Sequence, residues 1–352
     1  MSTKRPSLHF LRVPAGLLAV AVMLVATPVG SGRQAHAQDN FVVEDTGPVT
    51  AVQTSRIESL TPAQARQLVA DFKPDVALQV EVRPDHRVTY PRCLILNGLT
   101  SLDATTAAAL AEGWKGGIML GGLTSLDVDA AEALATHDRT PLSVFGLKTL
   151  DAGTARVLAK TKGWDGILSQ VTTLEADVAA ALAAFNGREL YLDGLTEISP
   201  EVAEALGKCK AVELHLDGLT TLSPAAAAGL SRFGREGSAL HLTGLTTLDA
   251  ESAKSLAASK GWTGSLPKLE RLDAATAAVL VDFMGSKKFA VLSLGGLRHL
   301  DGETARALVT LKNAFLDVSG LQSLSVESAT ALAGCDVWIG VLPQILRGAS
   351  NS

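Results

Sequence analysis

Leu94-Ile95-Leu96-Asn97-Gly98-Leu99-Thr100-Ser101-Leu102-Asp103-Ala104-Thr105-Thr106-Ala107-Ala108-Ala109-Leu110-Ala111 is the stretch that decides the fold, because its pattern returns almost to the C-terminus. With Gly98 as phase mark, equivalent positions fall at Gly122, Gly146, Gln170, Gly194, Gly218, Gly244, Lys268, Gly296 and Gly320. The step is 24 residues, stretched by two before Gly244 and by four before Gly296. A period of this length implies a stacked array, in which each unit is one supersecondary element that cannot bury its apolar face alone.

Each unit changes period halfway. Its first half alternates, as in Leu190-Tyr191-Leu192, Leu214-His215-Leu216 and Leu240-His241-Leu242, which predicts a strand with one buried face. In the second half Leu102, Ala107 and Leu110 have the spacing of one helical face. The alanine recurs at 131, 155, 179, 203, 227, 253, 277, 305 and 329, with a leucine three residues later each time. A small residue held at one helical position predicts a helix lying close against its strand and the next repeat.

Helix starts are also written into the chain. The residue after the second-half leucine is Asp103, Asp127, Asp151, Glu175, Ser199, Ser223, Asp249, Asp273, Asp301 or Ser325. All but Glu175 are preferred N-cap types, whose side-chain oxygen accepts from an orphan amide of the first turn. Pro200 and Pro224 follow their caps, where a missing N–H costs nothing.

Units reading L-x-L-x-G-L-T-x-L-[DS]-x-x-x-A-x-x-L-A resemble leucine-rich repeats, most closely the bacterial alanine-rich GALA-like and cysteine-containing types. The resemblance spans about residues 94 to 340 and implies an α/β solenoid: a right-handed horseshoe with a concave parallel β-sheet and convex helices. It says little about function. Where many such repeats carry Asn or Cys, this chain has Leu99, Leu123, Leu147, Val171, Leu195 and Leu219. The expectation is therefore that no asparagine ladder satisfies the turn backbone.

The ends read differently. Lys4, Arg5 and Arg12 precede an apolar run from Val13 to Ala26, and Ala35-His36-Ala37 offers a small-x-small cleavage site. This reads as a secretory signal, with an uncleaved anchor as the alternative. The sequence divides into a signal peptide over 1–37, an N-terminal cap with degenerate repeats over 38–93, ten repeats over 94–339, and a capping strand and tail over 340–352. Within the cap, Thr61-Pro62 begins a helix with Ala65 and Leu68 inside, whereas Val76 to Val82 alternates like a strand and Arg83-Pro84-Asp85-His86-Arg87 replaces its helix.

Removing residues 1–37 takes away four cations and no acid, so the formal charge moves from −5 to −9. An acidic chain lacks the basic stripe that nucleic acid or an anionic membrane would require. Cys93, Cys209 and Cys335 precede the first, sixth and eleventh strands, about 24 Å apart at 4.8 Å per strand, beyond the reach of a disulfide. They read as buried packing residues. Trp114, Trp164 and Trp262 recur in Gly-Trp pairs after a helix, where packing at the core edge is preferred over glycan stacking.

No H-E-x-x-H, G-x-x-x-x-G-K-[ST], G-x-S-x-G or C-x-x-C occurs. The surface left to carry function is the concave sheet. Its outward positions in the fifth to seventh units bring Tyr191, Asp193, His215, Asp217 and His241 onto adjacent strands, within reach of one ligand or cation. A cross-strand ladder of exposed polar residues is the plainer alternative.

The sequence therefore predicts an exported protein, periplasmic, envelope-bound or extracellular, that recognises a protein, peptide or glycan without catalysis, cofactor or metal. Nucleic acid and membrane insertion after signal cleavage are not expected. One alternative is a structural component of the envelope or an extracellular assembly, self-associating through its terminal strands. A remoter one is a hydrolase using His215 or His241 with Asp193 or Asp217.

Overall fold

The structure is a computed structural model and describes residues 22–23, 54–72, 78–83, 86–90, 93–136, 141–287, 290–312 and 314–333. Residues 38–53 of the expected cap, most of the expected signal segment, Cys335 and the capping strand and tail expected over 340–352 lie outside the described residues.

At the N-terminal end, β1 (Val22–Met23) lies antiparallel to β2 (Leu78–Arg83), which pairs antiparallel with β3 (His86–Tyr90). The segment that breaks the repeat pattern returns as a second strand, because His86-Arg87-Val88-Thr89-Tyr90 alternates as its partner does. Helix α1 (Pro62–Asp71) starts at Thr61, whose hydroxyl accepts from the Gln64 N–H while the Gln64 carboxamide accepts from the Thr61 N–H.

From residue 93 the chain is an α/β array of short parallel strands alternating with helices. The strands are β4 (Leu94–Ile95), β5 (Ile118–Met119), β6 (Leu142–Ser143), β7 (Glu189–Tyr191), β8 (Glu213–His215), β9 (Ala239–His241), β10 (Ala290–Ser293), β11 (His299–Leu300), β12 (Ala314–Asp317) and β13 (Ser323–Leu324). The helices are α2 (Ala104–Gly113), α3 (Val128–Ala135), α4 (Ala152–Lys160), α5 (Ala176–Leu182), α6 (Pro200–Leu206), α7 (Pro224–Leu230), α8 (Ala250–Ala257), α9 (Ala274–Gly285), α10 (Gly302–Leu308) and α11 (Val326–Leu332). Strands pair in register with the next unit, Leu94 with Ile118 and Ile118 with Leu142. Single bridges, Leu142 to Trp164, Ile167 to Tyr191 and Leu240 to Trp262, continue the pairing where a unit has no named strand. Each helix packs chiefly on its two sequence neighbours. Among the described residues, no helix is long and apolar enough to cross a membrane.

Nine N-caps accept backbone N–H bonds from their first turn, and Glu175 alone does not. The strand leucines and helix alanines form one continuous core, with every repeat alanine from Ala107 to Ala305 fully buried and Ala329, on the last described helix, half-buried. Helices of this length are marginal alone, so the packed face supplies their stability. Trp114, Trp164 and Trp262 are buried against Phe72, Phe185 and Phe283, at ring centroid distances of 5.2, 4.9 and 4.8 Å. Cys93 and Cys209 are buried free thiols.

Two links between units were not legible as motifs. Threonine or serine three residues after a cap sends its hydroxyl to the preceding unit's leucine carbonyl: Thr154 to Leu126 at 3.1 Å, Ser252 to Leu222 at 3.2 Å and Ser328 to Leu300 at 2.7 Å. The recurrent turn glycine answers to contact rather than to left-handed backbone. A Cβ at Gly218 would press into the Asp193 carbonyl oxygen, and one at Gly244 into that of Asp217.

Candidate functional site

Strands β7, β8 and β9 set Tyr191, His215 and His241 at register-paired positions. Parallel strands about 4.8 Å apart bring flat side chains of like rotamer to stacking distance. Tyr191 and His215 stack at 4.3 Å between centroids with planes 9° apart, and His215 and His241 at 4.2 Å, also 9° apart. The three predicted aromatic positions thus form one continuous column.

The two-residue period of the same strands adds Glu189 and Glu213 to this face. The Tyr191 hydroxyl donates to a Glu189 carboxylate oxygen, and Arg188 Nε donates to the other at 3.0 Å. Arg188 also lies 3.6 Å from Glu213 Oε1. Glu213 Oε2 then sits 3.8 Å from His215 Nε2 and 3.4 Å from His241 Nε2. On the other edge of His215, Asp217 Oδ2 is 4.0 Å from Nδ1.

Two expectations are corrected here. Tyr191 and His215 are not exposed ladder residues; they are only 3% and 4% exposed. Each face of His215 is covered by a neighbouring ring, and its two nitrogens face carboxylates. His241 keeps 24% of its side-chain exposure.

Asp193 and Asp217 also serve the turn backbone. Asp193 Oδ1 accepts from the Asp217 N–H at 3.0 Å, and Asp217 Oδ1 from the Thr243 N–H at 2.9 Å. Asn97 Oδ1 does the same for Gly121 at 2.9 Å. A side-chain ladder therefore does serve the turn backbone, from a position two residues before the leucine where it was sought. The second oxygen of Asp217 is the one turned to His215.

Glu189, Glu213 and Arg188 escaped the sequence reading because it opened each strand at its first leucine. One further step of the alternation, backwards from Tyr191 and His215, finds both glutamates. Away from this face, burial pushes the Cys93 thiol up to about 12, with Asp165 adding to the shift, and burial likewise raises Cys209. Neither thiol is primed as a nucleophile.

The result is a mixed set of imidazole nitrogens and carboxylate oxygens beside an aromatic column, with Glu189, Glu213, Asp193 and Asp217 outweighing Arg188 in charge. Such a face suits a polar or cationic ligand rather than a phosphate. No family model matches the chain, and no curated protein matches it.

Proposed function

We propose that the chain is an exported leucine-rich repeat solenoid whose concave sheet recognises a protein, peptide or glycan without catalysis. The in-register pairing at the repeat period, and helices packing on their sequence neighbours, support the solenoid. The observation that carries the recognition reading is the Tyr191, His215 and His241 column with Glu213 on its edge. The accessible His241 ring and Glu213 carboxylate, backed by the buried Tyr191 and His215 rings on strands fixed by a continuous core, form a rigid and chemically distinctive surface.

The test is capture from native envelope and extracellular fractions with the chain beside a Glu213→Gln/His241→Ala variant. These two positions are altered because Tyr191 and His215 are buried. A ligand held by the parent and lost by the folded variant supports recognition at this face. Equal capture by both moves function elsewhere.

One observation favours assembly as a second reading. Val291 and Phe315 are register partners on β10 and β12, yet 41% and 39% exposed, an apolar pair on the sheet. Self-association abolished by Phe315→Ser would support it.

A further inference from the structure

We infer that Glu213, His215 and His241 form a binding site for a borderline divalent transition-metal ion of the zinc class. One ligand atom from each lies within 4.8 Å of the others. In a tetrahedral zinc site with bonds of about 2.0–2.1 Å, neighbouring donors stand about 3.3–3.4 Å apart. The His241 Nε2 to Glu213 Oε2 distance is already 3.4 Å, and that from His215 Nε2 is 3.8 Å. The two imidazoles need only tilt from their stacked arrangement to converge.

The surroundings fit the same ion. His241 Nε2 is enclosed and makes no hydrogen bond among the described residues, although Glu213 Oε2 lies beside it. Enclosing a ring nitrogen without a hydrogen bond is costly, and coordination relieves that cost. His215 turns its other nitrogen to Asp217, the carboxylate behind histidine that orients metal ligands. Asp217 is itself fixed by the Thr243 N–H. Two imidazoles and one carboxylate select zinc-class ions over calcium or magnesium, which prefer all-oxygen sets. Three protein donors leave a fourth position for water or for a group of a bound partner.

The site shares its face with the proposed recognition surface, but ion binding needs no partner. The experiment is therefore a titration of the untagged full-length chain with Zn2+ alone, by calorimetry, with Co2+ as a spectroscopic probe. The expected result is saturation at one ion per chain and the visible bands of tetrahedral Co2+. His241→Ala and Glu213→Gln abolish saturation, while His299→Ala, at a histidine on β11, leaves it unchanged. Asp217→Asn, which keeps the acceptor for Thr243, weakens binding about 10-fold or more. Circular dichroism establishes that each variant is folded, and Glu213→Gln, of the same shape, decides if His241→Ala is not. No saturable binding by the folded parent, or unchanged affinity in both ligand variants, would overturn the site. A folded parent chain that binds no Zn2+ yet still captures its partner would overturn the metal site and leave the recognition reading standing.

Discussion

The imidazoles of His215 and His241 lie face to face, 4.2 Å apart and 9° from parallel, and both Nε2 atoms face the same oxygen of Glu213. Stacking and chemistry are separable at His241. His241→Phe keeps a ring against His215 and removes the nitrogen, whereas His241→Ala removes both. Alanine is expected to cost about 0.5–1.5 kcal/mol of stability and phenylalanine to restore most of it. Denaturant midpoints of the two variants check this.

Thr154 ties unit to unit. It is fully buried, and its hydroxyl reaches Leu126 O at 3.1 Å and Asp151 Oδ2 at 2.8 Å. Thr154→Val, with the same shape and no hydroxyl, should lose about 1–3 kcal/mol, because a buried carbonyl is left without its donor. Thr154→Ser should lose less, and chemical denaturation of both measures the difference.

Stacked turns leave no room at Gly218. A methyl group there meets the backbone oxygen of Asp193, which no rotamer change can move aside. Gly218→Ala is expected to destabilise by about 1–3 kcal/mol. Thermal unfolding of this variant is the check, and a value near zero would mean that successive turns are farther apart than described.

The helix column makes a parallel prediction. Ala203 is fully buried, and Gly229 of the neighbouring helix packs directly on it. Ala203→Leu should cost about 1–3 kcal/mol through overpacking, read from the shift in unfolding midpoint.

Acid should unfold the chain through its caps. The Thr154 N–H, together with the Thr154 hydroxyl, holds the Asp151 carboxyl below its usual range, and the Thr304 N–H and hydroxyl do the same for Asp301. A carboxyl lowered in the folded state contributes stability that is fully present above its unfolded pKa of about 3.9 and is lost as pH falls through the lower folded value. Stability should therefore be flat with respect to these groups near neutrality and decline below about pH 4. The double variant Asp151→Asn/Asp301→Asn should decline less steeply in a pH series of unfolding midpoints.

Fold and site were unequally legible. Period, caps and the alanine column repeat ten times, so chance matches cancel and the register of β7, β8 and β9 follows from counting. The Glu175 exception was visible too, since its side chain is a poor N-cap and makes no cap bond. Features set by contact between units were harder to read. The hydroxyl of Thr154 and the carboxylates of Asp193 and Asp217 are ordinary polar residues in sequence, and only stacking aims them at a neighbouring backbone. The burial of Tyr191 and His215 belongs to the same class, because ring stacking across strands removes surface that alternation alone assigns to solvent. Glu213 was the costliest omission, since it is the group that turns a histidine pair into a three-ligand set.

The central claim is that the β7 to β9 face holds the ligand. Its most direct measurement is the equilibrium affinity of the captured partner for the parent chain and for folded Glu213→Gln/His241→Ala, by calorimetry at matched salt. Loss of about tenfold or more, some 1.4 kcal/mol, is the predicted result. Equal affinity for both chains, with unfolding midpoints also equal, would contradict the account.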